Sequence, residues 1–192
     1  MKKILSIMLA AIMIFAVSSC GTAKKDAAPV NFTIEMEDGS VMKGELYPDI
    51  APITVENFIK LCDEDFYAGL IFHRVIPGFM IQGGGYDAEL NDKDAATIKG
   101  EFSANGVENN LSHKRGVISM ARTTVPDSAS SQFFIMHADN PGLDGQYAAF
   151  GKITEGLEVI DKIANVQTQQ VSPVMDDVPV EPQVIKTIRI DR

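Results

Sequence analysis

Tryptophan is absent from the 192-residue chain, cysteine occurs only twice, and basic residues are scarce. The 17 Lys and Arg stand against 26 Asp and Glu, a formal net charge of -9. Two cysteines cannot build a disulfide-stapled scaffold or a four-thiolate zinc site. An acidic chain lacks the clustered cations that displace counterions from a phosphate backbone, which argues against nucleic acid as a partner. Ile4 to Val17 carries no charge and a single serine, but it is shorter than the about 20 residues that span a bilayer as a helix. What remains is a globular composition, 45% hydrophobic and 22% charged. It suffices for one domain of ordinary size, or two small ones, around a hydrophobic core.

The N-terminus reads as an address. Met1-Lys2-Lys3 is a positive start, and Ile4 to Val17 has the length of the apolar region of a secretory signal. Val17-Ser18-Ser19-Cys20-Gly21 then places small residues before a cysteine. That arrangement resembles the bacterial lipobox, in which the Cys is lipidated and becomes the mature N-terminus. Ordinary signal cleavage nearby, with Cys20 discarded or left as a free thiol, is the alternative. On the lipidated reading, residues 1–19 are a signal peptide, residues 20–29 a lipidated Cys20 with a flexible tether, and residues 30–192 one folded domain. Such a protein is extracytoplasmic and held at a membrane of the bacterial cell envelope by its lipid, and Cys62 is its one remaining free thiol.

The body is expected to be mainly strand, with two helices. Phe32, Ile34 and Met36 alternate with Thr33, Glu35 and Glu37, a half-buried strand. Asp38-Gly39 is a hairpin turn, and Val41 to Tyr47 the return strand. Pro52 suits a first helical turn, and Val55, Phe58, Ile59 and Cys62 form one apolar helical face, on which Cys62 reads as a core thiol. Short apolar runs broken by Gly, Asn, Asp and Ser fill Leu70 to Phe150. Leu157, Ile160, Ile163 and Ala164 mark a second helix with Thr154 as its cap. Residues 167–182, with three prolines, read as a loop, and Val184 to Ile190 as a closing strand. Many strands and two helices in one domain predict a closed barrel with helical caps.

The most unusual stretch is Phe72-His73-Arg74-Val75-Ile76-Pro77-Gly78-Phe79-Met80-Ile81-Gln82-Gly83-Gly84. It sets a single Arg in an apolar run. Strand periodicity puts Met80 and Gln82 on one face and Phe79 and Ile81 on the other, unless the chain bends. Periodicity alone leaves open a surface Arg on an edge strand beside a packed core.

This stretch resembles the signature of the cyclophilins, the peptidyl-prolyl cis/trans isomerases. Ser131-Gln132-Phe133-Phe134-Ile135 is similar to a second family motif. Leu143-Asp144-Gly145-Gln146-Tyr147 and Phe150-Gly151-Lys152 are similar to a third, and Asn57-Phe58 also fits. Order and spacing match from Val30 to Arg192. The resemblance implies a mainly β fold, a closed eight-stranded antiparallel barrel capped by two α-helices. It implies that Arg74 is catalytic and that Phe79, Met80, Phe134 and Leu143 receive the proline ring. Gln82 and Gln132 would lie beside the substrate backbone, with Ala121 and the Arg122 backbone as the rim that pairs with an extended peptide. Two positions depart from many eukaryotic members. Gly142 stands where they have Trp, and Tyr147 where they have His. Tyr147 still offers an apolar ring wall and a hydroxyl. Activity is expected to survive and cyclosporin sensitivity to be weak.

The implied reaction needs no cofactor and no metal. Its implied partners are proline-containing, unfolded or partly folded exported polypeptides, met by a monomer at the membrane. A non-catalytic proline-peptide-binding or holdase module on the same fold is the alternative. Other signals are weak. His73, His113 and His137 match no metal-ligand spacing. Asp139, Asn140 and Asp144 lack a calcium-loop pattern. Gly83-Gly84-Gly85 is followed by no Lys-Ser/Thr, and Ser119, Ser128 and Ser131 lack a nucleophile elbow.

Overall fold

The computed structural model describes residues 27–192. The signal peptide and lipidated Cys20 expected from the sequence lie outside the described residues, as does most of the tether.

The alternation read in the first strand holds except at Thr33, which is buried as well and donates its hydroxyl to Asp191 Oδ2 at 2.8 Å. In β1 (Val30–Met36), Phe32, Ile34 and Met36 are buried, and Asp38-Gly39 turns the chain into β2 (Val41–Leu46). Gly39 has φ +83°, the left-handed conformation this turn requires. Six further strands complete the main sheet: β3 (Leu70–Ile76), β4 (Met80–Asp87), β5 (Val117–Met120), β6 (Phe133–Met136), β7 (Ala149–Glu155) and β10 (Ile185–Ile190). Their order is β10-β1-β2-β7-β5-β6-β4-β3, antiparallel throughout. The two end strands approach each other. Gly69 N–H donates to the Ile185 carbonyl at 2.9 Å, Phe72 N–H to Gln183 at 3.0 Å, and Ile71 bridges Val184. The result is a nearly closed eight-stranded barrel, which leaves few free strand edges.

Two helices pack their apolar faces into the same core. In α1 (Pro52–Asp63) these are Val55, Phe58, Leu61 and Cys62, and in α2 (Leu157–Ala164) Val159, Ile160, Ile163 and Ala164. Phe58 is the hub. Its ring lies 5.2–5.9 Å from those of Phe32, Tyr67, Phe133 and Phe150. Cys62 is a buried free thiol, and burial pushes its ionisation up, so it is held as the unreactive thiol. Among the described residues no helix is long and apolar enough to cross a membrane.

Two expectations are corrected. Thr154 does not cap α2. It lies within β7, which runs on to Glu155, and Gly156 at φ +81° is the cap position. The chain passes so close to β2 there that a Cβ on Gly156 would meet the Val41 carbonyl oxygen at 2.3 Å. Residues 167–182 are not purely loop. Thr168–Gln169 (β8) pairs with Val178–Pro179 (β9) in a small two-stranded ribbon. Pro179 is tolerated because a two-stranded ribbon consists of edges.

The N-terminus of α1 has no capping side chain at Ala51. Glu101, from a distant loop and only 2% exposed, supplies the acceptor. Its carboxylate takes N–H bonds from Ile53 at 3.1 Å and Thr54 at 2.7 Å, and the Thr54 hydroxyl at 2.8 Å. Negative charge at this helix end meets unpaired N–H groups and the positive end of the dipole. Glu101→Ala leaves the buried Thr54 donors and the part-buried Ile53 N–H without this acceptor. It should lower unfolding stability by about 2–3 kcal/mol, read as a shift of the urea midpoint with unchanged slope.

Candidate active site

A strand whose two faces are both buried reads as a nearly continuous apolar run. β6 meets this with Phe133-Phe134-Ile135-Met136, all buried. Alternation sends Phe133 and Ile135 into the barrel, whereas Phe134 and Met136 join a second apolar cluster with Met80, Val117 and Ala149. β4 does the same, with Ile81 in the barrel core and Met80 in the second cluster. The candidate site therefore sits on the outer face of the barrel wall, one side chain away from the core.

The chain bends where periodicity allowed for a bend. Pro77, Gly78 and Phe79 form the turn between β3 and β4, with Gly78 at φ +76° and Phe79 N–H donating to the Ile76 carbonyl at 3.0 Å. The turn brings Phe79 to the same side as Met80 and Gln82 rather than beside Ile81. Arg74 on β3 pairs in register with Gln82 on β4, and Gln82 with Phe134 on β6. Three adjoining strands thus carry the cation, the amide and the aromatic floor side by side.

A hollow of about 170 Å³ opens here. It is smaller than the roughly 300–1,000 Å³ of sites for drug-sized ligands, and suits one ring of a longer chain. Arg74, Phe79, Met80, Gln82, Ala121, Arg122, Phe134, Leu143 and Tyr147 line it, so nine residues singled out in the sequence meet at one place. Gln132 does not line it. It borders the clefts on either side, and its Oε1 accepts a bond from Gln82 Nε2 at 3.0 Å. Gly85 makes the space for it, since a Cβ there would meet the Gln132 amide at 2.5 Å.

The rim is tied in the same way. Ala121 N–H donates to the Gln132 carbonyl at 2.9 Å. The Arg122 side chain contributes as well as its backbone, which the sequence reading did not foresee. Its guanidinium lies over the rings of Phe102 at 4.8 Å and Tyr147 at 4.9 Å and donates to the Gln146 carbonyl. Tyr147 meets Phe134 edge-on, with centroids 5.6 Å apart. Gly142 is exposed in the 3-10 turn Pro141–Leu143 that delivers Leu143. Among the described residues, two guanidinium groups and no carboxylate line the hollow, in a protein whose net charge is -9.

Comparisons with known proteins place the chain in a family. Residues 17–190 match the family described as cyclophilin type peptidyl-prolyl cis-trans isomerase/CLD. The chain is 49% identical over 146 residues to the peptidyl-prolyl cis-trans isomerase A of Dickeya dadantii, covering 73% of this chain and 74% of that one. It is 45% identical over 130 residues to the peptidyl-prolyl cis-trans isomerase B of Bacillus subtilis, covering 68% and 87%. The chain belongs to the cyclophilins. A crystal structure of a Cryptosporidium parvum cyclophilin type peptidyl-prolyl cis-trans isomerase superposes with a TM-score of 0.71 at 28% identity, covering 86% of this chain and 99% of the other.

This cyclophilin also holds contacts that its sequence did not reveal. Asp177, just before β9, stands with its Oδ2 3.9 Å from Arg74 Nε, while its backbone carbonyl accepts from Val75 N–H at 3.0 Å. No local signal links two residues a hundred positions apart. Beneath Phe134 the His113 ring is stacked at 5.9 Å, with Nδ1 2.9 Å from Asp144 Oδ1 and Nε2 3.1 Å from Ser119 Oγ. This has the outline of a Ser-His-Asp array, but Ser119 is fully buried and meets no substrate. Burial lowers the proton affinity of His113, against a smaller upward pull from Asp144. The ring is therefore neutral, and the contact is a hydrogen bond rather than an ion pair. Among the described residues, no three His, Cys, Asp or Glu side chains are grouped to hold a metal ion.

His73 faces away from the hollow. It is 6% exposed, edge-on to Tyr86 at 4.8 Å, and its Nδ1 has no hydrogen-bond partner among the described residues. Burial, and then the charge of Arg74, lower its pKa from 6.5 to about 4. The unfolded chain therefore takes up this proton before the folded one does, and stability falls as pH drops through that window. The loss attributable to His73 is about 3 kcal/mol. Urea midpoints measured from neutral pH down to pH 4 should show a smaller acid loss in His73→Phe than in the parent.

Proposed function

We propose that this cyclophilin isomerises X-Pro bonds in exported polypeptides, acting as a monomer held at a membrane of the cell envelope through a lipid on Cys20. We propose further that Arg74 is its catalytic residue. One juxtaposition carries the assignment: the Arg74 guanidinium borders a hollow walled by Phe79, Met80 and Phe134.

The chemistry follows from the amide. Cis and trans X-Pro differ by only about 0.5–1 kcal/mol, but rotation is opposed by a barrier of about 18–20 kcal/mol that comes from resonance. In the twisted transition state the prolyl nitrogen regains its lone pair and becomes a better acceptor. A guanidinium aimed at that nitrogen binds the twisted form more strongly than the planar one, and only such a difference accelerates a reaction. Arg74 stays charged and offers donors on a rigid plane. Burying the proline ring against Phe79, Met80 and Phe134 contributes about 1.5–3 kcal/mol of binding. That contribution is shared by both ground states, so it holds the substrate more than it speeds it. Gln82, steadied by Gln132, and the Ala121–Arg122 rim hold the backbone on either side.

Envelope anchoring rests on the sequence: the positive start, the uncharged stretch Ile4–Val17 and the small residues before Cys20. The exported substrates follow from that position.

Arg74→Ala should lower kcat/KM on a short X-Pro peptide at least about tenfold, a loss of about 1.4 kcal/mol. Exchange spectroscopy of the two proline isomers reads this directly, and unchanged turnover would remove the assigned role. In cells of a lipoprotein-processing bacterium, Cys20→Ser should abolish incorporation of labelled fatty acid and release the protein from the membrane fraction. An unlabelled parent protein would rule the anchor out.

A further inference from the structure

The Pro77–Gly78–Phe79 turn decides on which side Phe79 lies, and one side chain holds it. Gly78 N–H donates to Nδ1 of His137, which follows β6, at 2.7 Å. A backbone amide can only donate, so Nδ1 carries a lone pair and Nε2 carries the hydrogen. Nε2 faces Asp161 Oδ1 at 3.0 Å. Asp161, on α2, is clamped by both Nη atoms of Arg115 at 2.7 and 3.0 Å, and Arg115 also donates to the His137 carbonyl at 2.8 Å. The His137 N–H in turn donates to the Phe79 carbonyl at 2.9 Å. The turn is gripped at two successive residues by one histidine, itself fixed from α2.

We propose that His137 is a pH-sensitive positioning residue: neutral, it holds the Gly78–Phe79 turn so that Phe79 walls the hollow, and doubly protonated, it releases the turn. The inference rests on the reading of Phe79 as part of the proline-ring site. The physical step is simple. A second proton can go only on Nδ1, where it faces the Gly78 N–H across 2.7 Å, so an attraction between donor and acceptor becomes a repulsion between two donors. Among the described residues, the charged groups bonded around the histidine are Asp161 from α2 and Arg115 from the segment before β5, and the turn Pro77–Gly78–Phe79 carries no charge. Asp139, on the histidine's own segment, is occupied with the Arg115 N–H at 2.8 Å. The Arg115 bonds hold the Asp161 carboxyl below its usual range, so it stays charged and keeps one ring nitrogen occupied throughout.

The test compares kcat/KM on one X-Pro peptide from about pH 7.5 to about pH 5, the range in which histidines change charge. The parent should lose about three- to tenfold on acidification, the worth of one hydrogen bond. His137→Asn keeps an oxygen able to accept from Gly78 and cannot titrate. It should stay within about twofold of the parent at neutral pH and lose the acid fall. His137→Ala should be low at both ends of the range. An Asn variant with the parent's acid fall, or an Ala variant with the parent's neutral activity, overturns the proposal. Phe79→Ala, run alongside, separates the two readings, because full activity there removes Phe79 from the site whatever His137 does.

Discussion

The register of β6 is the constraint on which both core and site depend. Its neighbours Phe133 and Phe134 point to opposite faces of one wall. Phe133 packs edge-on against Phe58, Tyr67 and Phe72 inside the barrel, while Phe134 lies under Tyr147 and over His113 outside it. A slip of one residue would exchange the two sets. The barrel therefore cannot pack without also presenting Phe134 as the floor of the hollow. β4 repeats the coupling with Ile81 and Met80, and the pairing of Gln82 with Phe134 locks the two strands together. Stability of the fold and shape of the site are set by the same alternation.

That explains how much could be read from the chain itself. The hairpin at Asp38-Gly39, the α1 face, the closing strand and the barrel class all follow from periodicity and turn chemistry, which are local. The site residues came from motif likeness, because nothing local joins Arg74 to Leu143 or Tyr147. What escaped notice depends on distance. Glu101 caps a helix some fifty residues earlier, Asp177 meets Arg74 across a hundred, and His113 props up Phe134 from another loop. Thr154 failed as a cap because β7 outcompetes it: strand pairing with β2 runs to Glu155, and only then does Gly156 begin the helix. The ribbon of β8 and β9 was hidden by prolines, which break long strands but not pairs of two-residue edges.

Charge is distributed against the average. A chain with net charge -9 lines its hollow with two guanidinium groups, and one of them, Arg74, has the Asp177 carboxylate 3.9 Å away. Both members of that pair are more than a third exposed, so the contact contributes little to stability and mainly orients the cation. Arg122 is spent differently. Its donors are committed to backbone carbonyls and its face to two aromatic rings, which makes it a wall of the site rather than a mobile charge.

Magnitudes argue that positioning matters as much as the cation. An acceleration of about 10⁵-fold requires about 7 kcal/mol. A charged hydrogen bond contributes about 1.5–3 kcal/mol, and ring burial, being common to both isomers, contributes little to the difference. On the role proposed for Arg74, the remainder has to come from holding the peptide so that its proline nitrogen meets the guanidinium as it twists. The parts suited to this lie around the hollow rather than in it: Gln132 behind Gln82, Phe102 behind Arg122, and the turn that brings Phe79 across. Each is a contact between segments far apart in the chain, so the rate is a property of the closed barrel and not of any one motif.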